Sequence, residues 1–174
     1  MTVTLVILGI VFGWGIWSYN RLVRDRVRVE TGWSDIDVQL KRRHDLIPKL
    51  VTAVKQYAAY ESATLEAVTG LRGKALEPQR SSNTEQAISR DLKTLLAVAE
   101  QYPDLKADQS FLDLQKNLSN IENHLQYARR YYNGAVRNLN IRIDSFPDTV
   151  IAKAFGFVKG SFFEFDPSSG TLTK

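Results

Sequence analysis

The residues best suited to acid–base or metal chemistry in this chain are its two histidines, His44 and His124. His44 ends a basic run just before Asp45, and we interpret it as a cation that stabilises a helix C-terminus. His124 lies two residues after Glu122, whereas metal ligands on one helical face need a spacing of three or four. The chain contains no Cys, no Gly-rich phosphate loop and no nucleophile motif. These patterns predict a protein without catalytic residues, cofactors or metal ligands.

A second group of polar residues lies within or beside apolar helical stripes. Its members are Asp37, Glu122, Arg129 and Asn133. A buried charge without a partner costs about several kcal/mol, so each buried charge needs an opposite one nearby. We expect Arg129 to pair with Asp37 or Glu122 and so to fix the helix register. The alternative is that all these side chains point to solvent.

The first twenty residues contain no charged side chain. A helix of about 20 residues spans about 30 Å, the thickness of the hydrocarbon layer of a membrane. Trp14 and Trp17 lie towards its far end, where aromatic rings favour the headgroup zone. No Lys or Arg precedes the apolar run, which favours an uncleaved anchor over a signal peptide. We therefore predict a transmembrane anchor over residues 1–19, with Gly9 and Gly13 forming a face for self-association.

The charge that follows this segment predicts its orientation. The chain carries a net charge of +4, and its local excess is an arginine cluster directly after the apolar run. The positive-inside rule places such a cluster, and the folded part behind it, in the cytoplasm. The position also favours contact with anionic lipid over nucleic acid, because basic and acidic residues alternate elsewhere. The prediction is a single-pass membrane protein with its folded part in the cytoplasm and no nucleic-acid partner.

Residues 20–145 show helical periodicity that is interrupted near Pro48, at the polar loop Glu77–Asn83, and at Pro103. Apolar residues recur at spacings of three and four in four stretches. The first ends at about Asp45 and the second runs from Pro48 to about Lys74. The third ends at Tyr102, and the last and longest ends at Ile143. We interpret Asp45–Ile47 as a turn, because proline suits the first turn of a helix but not its interior. Short connections make neighbouring helices antiparallel. The predicted fold is therefore all-α: a membrane helix followed by an antiparallel, up-down four-helix bundle with coiled-coil-like stripes.

Residues 146–174 form a C-terminal tail that is rich in aromatic residues. Phe146, Phe155, Phe157, Phe162 and Phe163 lie in it, with lysines between them. Two interpretations stay open: the rings cap the bundle core, or they contact lipid or a membrane partner.

Several stretches together resemble the LemA family of bacterial membrane proteins. They are Tyr19–Val23, Trp33–Pro48, Leu65–Thr69, Leu95–Ala107, Ala128–Asn133, Ser145–Pro147 and Phe155–Phe157. The resemblance covers nearly the whole chain. It implies an N-terminal membrane helix followed by an antiparallel helical bundle, and no established enzyme activity. It also implies an association with envelope stress and with membrane proteases such as the HtpX type.

The leading hypothesis is a non-enzymatic, membrane-anchored scaffold or adaptor. It would form homo-oligomers and act in envelope or membrane-protein homeostasis, since a tether raises the effective concentration of binding faces. The alternative is a membrane-tethered sensor or regulatory bundle. Such a module would act on a separate membrane partner, because the sequence shows one membrane helix and no output domain.

Overall fold

The computed structural model describes residues 1–57 and 82–163, except the side chains of residues 82–84. Within these ranges the chain forms helices and no strand. They are α1 (Thr2–Tyr57), α2 (Ser82–Ala99), α3 (Pro103–Ala107), α4 (Gln109–Asp144) and α5 (Asp148–Ala154). The predicted all-α class, with one long apolar N-terminal helix, is confirmed. The predicted domain limits 1–19, 20–145 and 146–174 stay predictions.

The predicted break at Pro48 is wrong, because α1 runs without interruption from Thr2 to Tyr57. A proline inside a helix removes one hydrogen bond and costs about 3 kcal/mol. The burial pattern explains why the helix nevertheless continues. Buried residues recur at spacings of three and four on both sides of the proline: Ile36, Leu40, Arg43, Ile47, Leu50 and Val54. Breaking α1 would interrupt this single buried face. The predicted second helix begins at Pro48, and its residues up to Tyr57 are part of α1. Its remainder up to Lys74, with the apolar residues Ala58, Leu65 and Val68, lies outside the described residues.

The boundaries of the last long helix follow the sequence closely. Pro103 begins the short α3, so the predicted break before the final helix is confirmed. The Asp108 carboxylate then accepts the backbone N–H of Phe111 at 2.9 Å, which satisfies one free donor at the start of α4. The 36 residues of α4 give it a length of about 54 Å.

The described chain divides into two compact units. The first unit comprises residues 1–37 and 126–163, and the second unit comprises residues 38–125 within the described ranges. The core of the first unit contains Leu22, Leu139, Ile143 and Ala152. The core of the second unit contains Ile47, Leu50, Val51, Val54, Ile88, Leu92, Leu95, Val98, Ala99, Leu105, Phe111 and Leu118. Both α1 and α4 contribute residues to each unit.

Within the first unit, α1 and α4 approach closely and run antiparallel. Asp25 of α1 pairs with Arg142 of α4, and Trp33 further along α1 contacts Tyr132 nearer the start of α4. A Cβ atom added to Gly32 would lie 3.2 Å from the Cα atom of Tyr132. Glycine at position 32 therefore permits this backbone approach, at the price of a lower intrinsic helix propensity.

Candidate functional site

The first part of α1 exposes its apolar side chains. From Val3 to Phe12 every large apolar side chain is at least half exposed. The helix is long and apolar enough to cross a membrane, by length and composition. A Cβ atom added to Gly9 or Gly13 would meet no other atom within 4 Å, so this face of the helix is open. Trp14 is half-buried, and Trp17 is exposed.

Beyond Trp17, the guanidinium group of Arg21 lies 4.5 Å from the centroid of the Trp17 ring. This contact keeps the cation at the end of the apolar run, where a headgroup phosphate would lie.

A buried arginine joins three helices in the second unit. Arg43 of α1 has no exposed surface. Its Nη1 atom donates to Glu122 Oε1 of α4 at 2.7 Å and to Ser89 Oγ of α2 at 3.1 Å. Its Nη2 atom donates to the carboxylate of Glu85 and, at 3.1 Å, to the backbone carbonyl oxygen of the same residue. His44 Nε2 lies 3.3 Å from Glu85 Oε1.

We call Arg43, His44, Glu85, Ser89 and Glu122 the Arg43 cluster. Its charged groups stabilise one another. Burial alone would raise the pKa of Glu85, but its close contact with His44 and the charge of Arg43 hold that pKa below its ordinary value. Glu85 is therefore ionised at neutral pH and matches the buried guanidinium. The prediction that His44 caps a helix C-terminus is wrong, because α1 continues for thirteen residues beyond it.

Arg43 was not predicted as a structural residue. The signal was nevertheless present in the sequence: position 43 has the same helical phase as Leu40, Ile47 and Leu50. A helix break assumed at Pro48 concealed that continuity. The partners from α2 depend on tertiary packing, and no local pattern indicates them.

The predicted polar residues lie at different places in the two units. Glu122 is half-buried and binds Arg43 as described above. The guanidinium group of Arg129 lies 4.8 Å from the centroid of the Phe163 ring, and Asp37 is exposed on α1. The expected pairing of Arg129 with Asp37 or Glu122 stays a prediction.

Asn133 holds the backbone of the C-terminal segment. Its Nδ2 atom donates to the carbonyl oxygen of Phe163 at 3.1 Å, and its Oδ1 atom accepts the N–H of Phe163 at 2.8 Å. Asn140 makes the same pair of bonds with Gly160, at 3.0 and 2.9 Å. Between them, the hydroxyl of Tyr132 donates to the carbonyl oxygen of Ser161 at 2.8 Å. We call this arrangement the asparagine clamp.

The spacing of the clamp matches two chain geometries. Seven residues of helix separate the two asparagines and rise about 10.5 Å. Three residues separate the two backbone partners, and three residues of extended chain span about 10 Å. The segment therefore runs antiparallel to α4, with one asparagine for every three of its residues. Among the aromatic residues of the tail, Phe163 is buried in the first unit, whereas Phe146, Phe155 and Phe162 are exposed. Contact of the exposed rings with lipid or a membrane partner stays a prediction.

A second polar cluster lies in the first unit. Asp25 is almost fully buried and accepts from Arg142 Nε at 2.5 Å and from Arg28 Nη1 at 3.1 Å. Arg142 also lies 3.5 Å from Asp148 Oδ2, and Ser18 Oγ donates to Asp148 Oδ1 at 2.6 Å. This Asp25 cluster therefore fixes the start of α5 against α1 and α4.

Comparison with known proteins places these features in a family. A family model described as the LemA family matches residues 32–172. Protein LemA of Metamycoplasma hominis is 23% identical over 92% of this chain and 75% of its own length. Magnetosome protein MamQ 2 of Paramagnetospirillum magneticum is 22% identical over 90% of this chain and 68% of its own. Magnetosome protein MamQ of Magnetospirillum gryphiswaldense is 20% identical over the same shares.

Proposed function

Because this chain belongs to the LemA family, we propose that it is a non-enzymatic, membrane-anchored helical scaffold. It self-associates and serves envelope or membrane-protein homeostasis. Two of the relatives named above are magnetosome proteins by name, and a role in building a cellular structure fits that likeness. The polar clusters of the described residues support the same proposal, since their charged groups are engaged in joining helices.

The observation that carries the proposal is the change in surface along α1. Its first part exposes apolar side chains, and its later residues enter the cores of both units. Exposed apolar residues over the length of a membrane span are stable in lipid and unfavourable in water. The helix that anchors the protein is thus also the helix on which its folded part is built.

Self-association is proposed through the open Gly9 and Gly13 face. In lipid, small residues four apart allow two helix backbones to approach closely. Replacing both glycines with leucine should convert the oligomer to monomer in mild detergent, as measured by light scattering after size exclusion. Thr4→Leu is the matched control, because position 4 lies on the opposite face of the helix. A monomeric unmodified protein, or an oligomer that survives the double substitution, would contradict this part of the proposal.

The folded part is proposed to lie in the cytoplasm, with the N-terminus outside the bacterial inner membrane. The arginines that follow the apolar run support this orientation. Protease added to spheroplasts should leave the folded part intact and digest it after lysis. Digestion from outside intact spheroplasts would reverse the proposed topology.

A regulatory role is the second candidate, and the unbroken α1 is the observation that favours it. One helix that continues from a span into two cores offers a direct mechanical connection to a membrane partner. A protease of the HtpX type is the partner class proposed from the family. Crosslinking in living cells, followed by mass spectrometry, should identify such a partner for a sensor and mainly other copies for a scaffold.

A further inference from the structure

The helix α5 lies beside the end of the proposed membrane span. Ser18 binds Asp148 at the start of α5, as described above. A Cβ atom added to Gly15 would lie 3.8 Å from Ile151 Cδ1. The ring of Tyr19 lies 4.8 Å from that of Phe155, directly after α5. Three independent contacts thus align α5 and the residue after it with positions 15–19 of α1.

This alignment sets the depth of α5 relative to a bilayer. Positions 15–19 lie about 20–26 Å along α1 from Thr2, at the end of a hydrocarbon layer about 30 Å thick. Trp17 and Tyr19 are residues that favour the headgroup zone. A segment held against them lies in the same zone whenever α1 spans the membrane.

The segment around α5 exposes several large apolar side chains. They are Phe146, Val150, Phe155, Val158 and Phe162, with exposed fractions from 47% to 82%, and Lys153 and Lys159 are exposed among them. We call these apolar side chains the α5 patch. Other residues of the same region, such as Ile151, Ala152 and Phe157, pack against the first-unit core. The patch is therefore a second apolar surface that the described chain leaves uncovered.

The charge around the patch favours an anionic partner. The first unit contains ten Lys and Arg against six Asp and Glu, a formal charge of +4. Asp148 is bound by Ser18 and Arg142, and Asp144 pairs with Lys159 at 2.8 Å. Lys153, on α5 itself, is exposed. Apolar side chains edged by cations are typical of surfaces that lie in the interface of anionic membranes.

We propose that the α5 patch is a second membrane contact, which inserts into the headgroup and upper acyl-chain zone of an anionic bilayer beside α1. The inference rests on the proposed membrane span and adds a surface to it. Its consequence is orientation: a span and a lateral contact together fix the tilt and rotation of the first unit on the membrane. A single helix anchor leaves both free.

The test uses the full chain, which contains no native cysteine, in vesicles of equal parts phosphatidylcholine and phosphatidylglycerol. Four single Val→Cys variants carry an environment-sensitive fluorophore. Val150 and Val158 report on the patch, Val11 on the middle of the span, and the exposed Val38 of the second unit is the matched control. Lipids with a spin label at the top or the middle of the acyl chain serve as quenchers.

We expect the upper quencher to act on positions 150 and 158, the deep quencher to act on position 11, and neither to act on position 38. Quenching at position 11 without quenching at 150 and 158 would overturn the second contact and leave the span intact. No quenching at position 11 would contradict the span itself. Fluorescence shifts at 150 and 158 that require several copies per vesicle, without lipid quenching, would assign the patch to a second copy and overturn the proposal.

A separate variant tests the contribution of charge to this membrane contact. Lys153→Glu should reduce quenching at position 150 in the anionic vesicles and leave position 11 unchanged. Lys49→Glu, an exposed change in the second unit, should alter neither. Equal quenching with and without Lys153→Glu would overturn the anionic preference.

Discussion

The two units of this protein differ in how many large apolar side chains they expose. The first unit exposes them along α1 and again at the α5 patch. In the described part of the second unit, the exposed large apolar residues are Val38, Tyr57 and Leu112. The charges differ as well, with +4 in the first unit and +1 in residues 38–125, from twelve Lys and Arg against eleven Asp and Glu. We therefore place the proposed membrane contacts on the first unit rather than on the described part of the second.

The polar clusters of the two units also differ, in the exposure of their central arginine. Arg43 in the second unit is enclosed, whereas the side chain of Arg142 in the first unit remains 18% exposed. An enclosed charge depends entirely on its protein partners, but a partly exposed one keeps some contact with water. We therefore predict that removing a charged partner lowers the stability of the second unit more than that of the first.

The largest effect is expected from Arg43→Met. The substitution leaves Glu85 buried without its guanidinium partner, and removal of one partner from a buried pair costs about 3–5 kcal/mol. Thermal unfolding in detergent, followed by circular dichroism, measures the loss. Arg42→Met is the control, because Arg42 is the neighbouring residue and its side chain is exposed. Adding Glu85→Met should restore part of the stability, and equal melting of the Arg43 and Arg42 variants would break the comparison.

Asp25→Asn should destabilise the first unit by about 1–3 kcal/mol. The loss is smaller than for Arg43, because Arg142 retains Asp148 and some solvent contact. Hydrogen exchange resolved by peptide should show faster exchange in α5 and the end of α4. Asp35→Asn, at an exposed position of α1, should leave exchange unchanged. A larger loss at Asp25 than at Arg43 would reverse the order of the two clusters.

Asn140→Ala should release the end of the clamped segment. Two neutral hydrogen bonds to Gly160 are lost, which corresponds to about 1–2 kcal/mol. Tryptic cleavage after Lys159 should then become about tenfold faster, since each 1.4 kcal/mol changes an opening equilibrium tenfold. Asn138→Ala, an exposed neighbour on α4, is the control. Unchanged cleavage would show that the clamp does not hold the segment.

The smallest effect concerns pH and is confined to the second unit. The folded pKa of Glu85 is below its unfolded value, so the ionised group stabilises the fold above the unfolded pKa. That contribution is lost as the pH falls through the folded pKa, from about pH 5 downward. Hydrogen exchange of α2 at several pH values should show the loss in the unmodified protein and a weaker dependence in Glu85→Gln. Glu100→Gln is the exposed control, and identical pH profiles for all three proteins would contradict the assignment.

Local sequence patterns predicted the helical class, the apolar N-terminal helix and the end of α4, because each rests on residues close together in the sequence. The break at Pro48 was wrong because a local penalty of about 3 kcal/mol was weighed without the packing on both sides of it. No local sequence pattern predicts the asparagine clamp. The tertiary structure brings Asn140 to the Gly160 backbone, and the amide of Asn133 binds a chain segment thirty residues away.

The proposed function depends on the apolar start of α1 lying within a bilayer. The most direct measurement is extraction of bacterial membranes at alkaline pH, which releases peripheral proteins and retains those that span the membrane. We predict that the full-length protein stays in the membrane pellet after this extraction. Its recovery in the soluble fraction would show that α1 does not span the membrane.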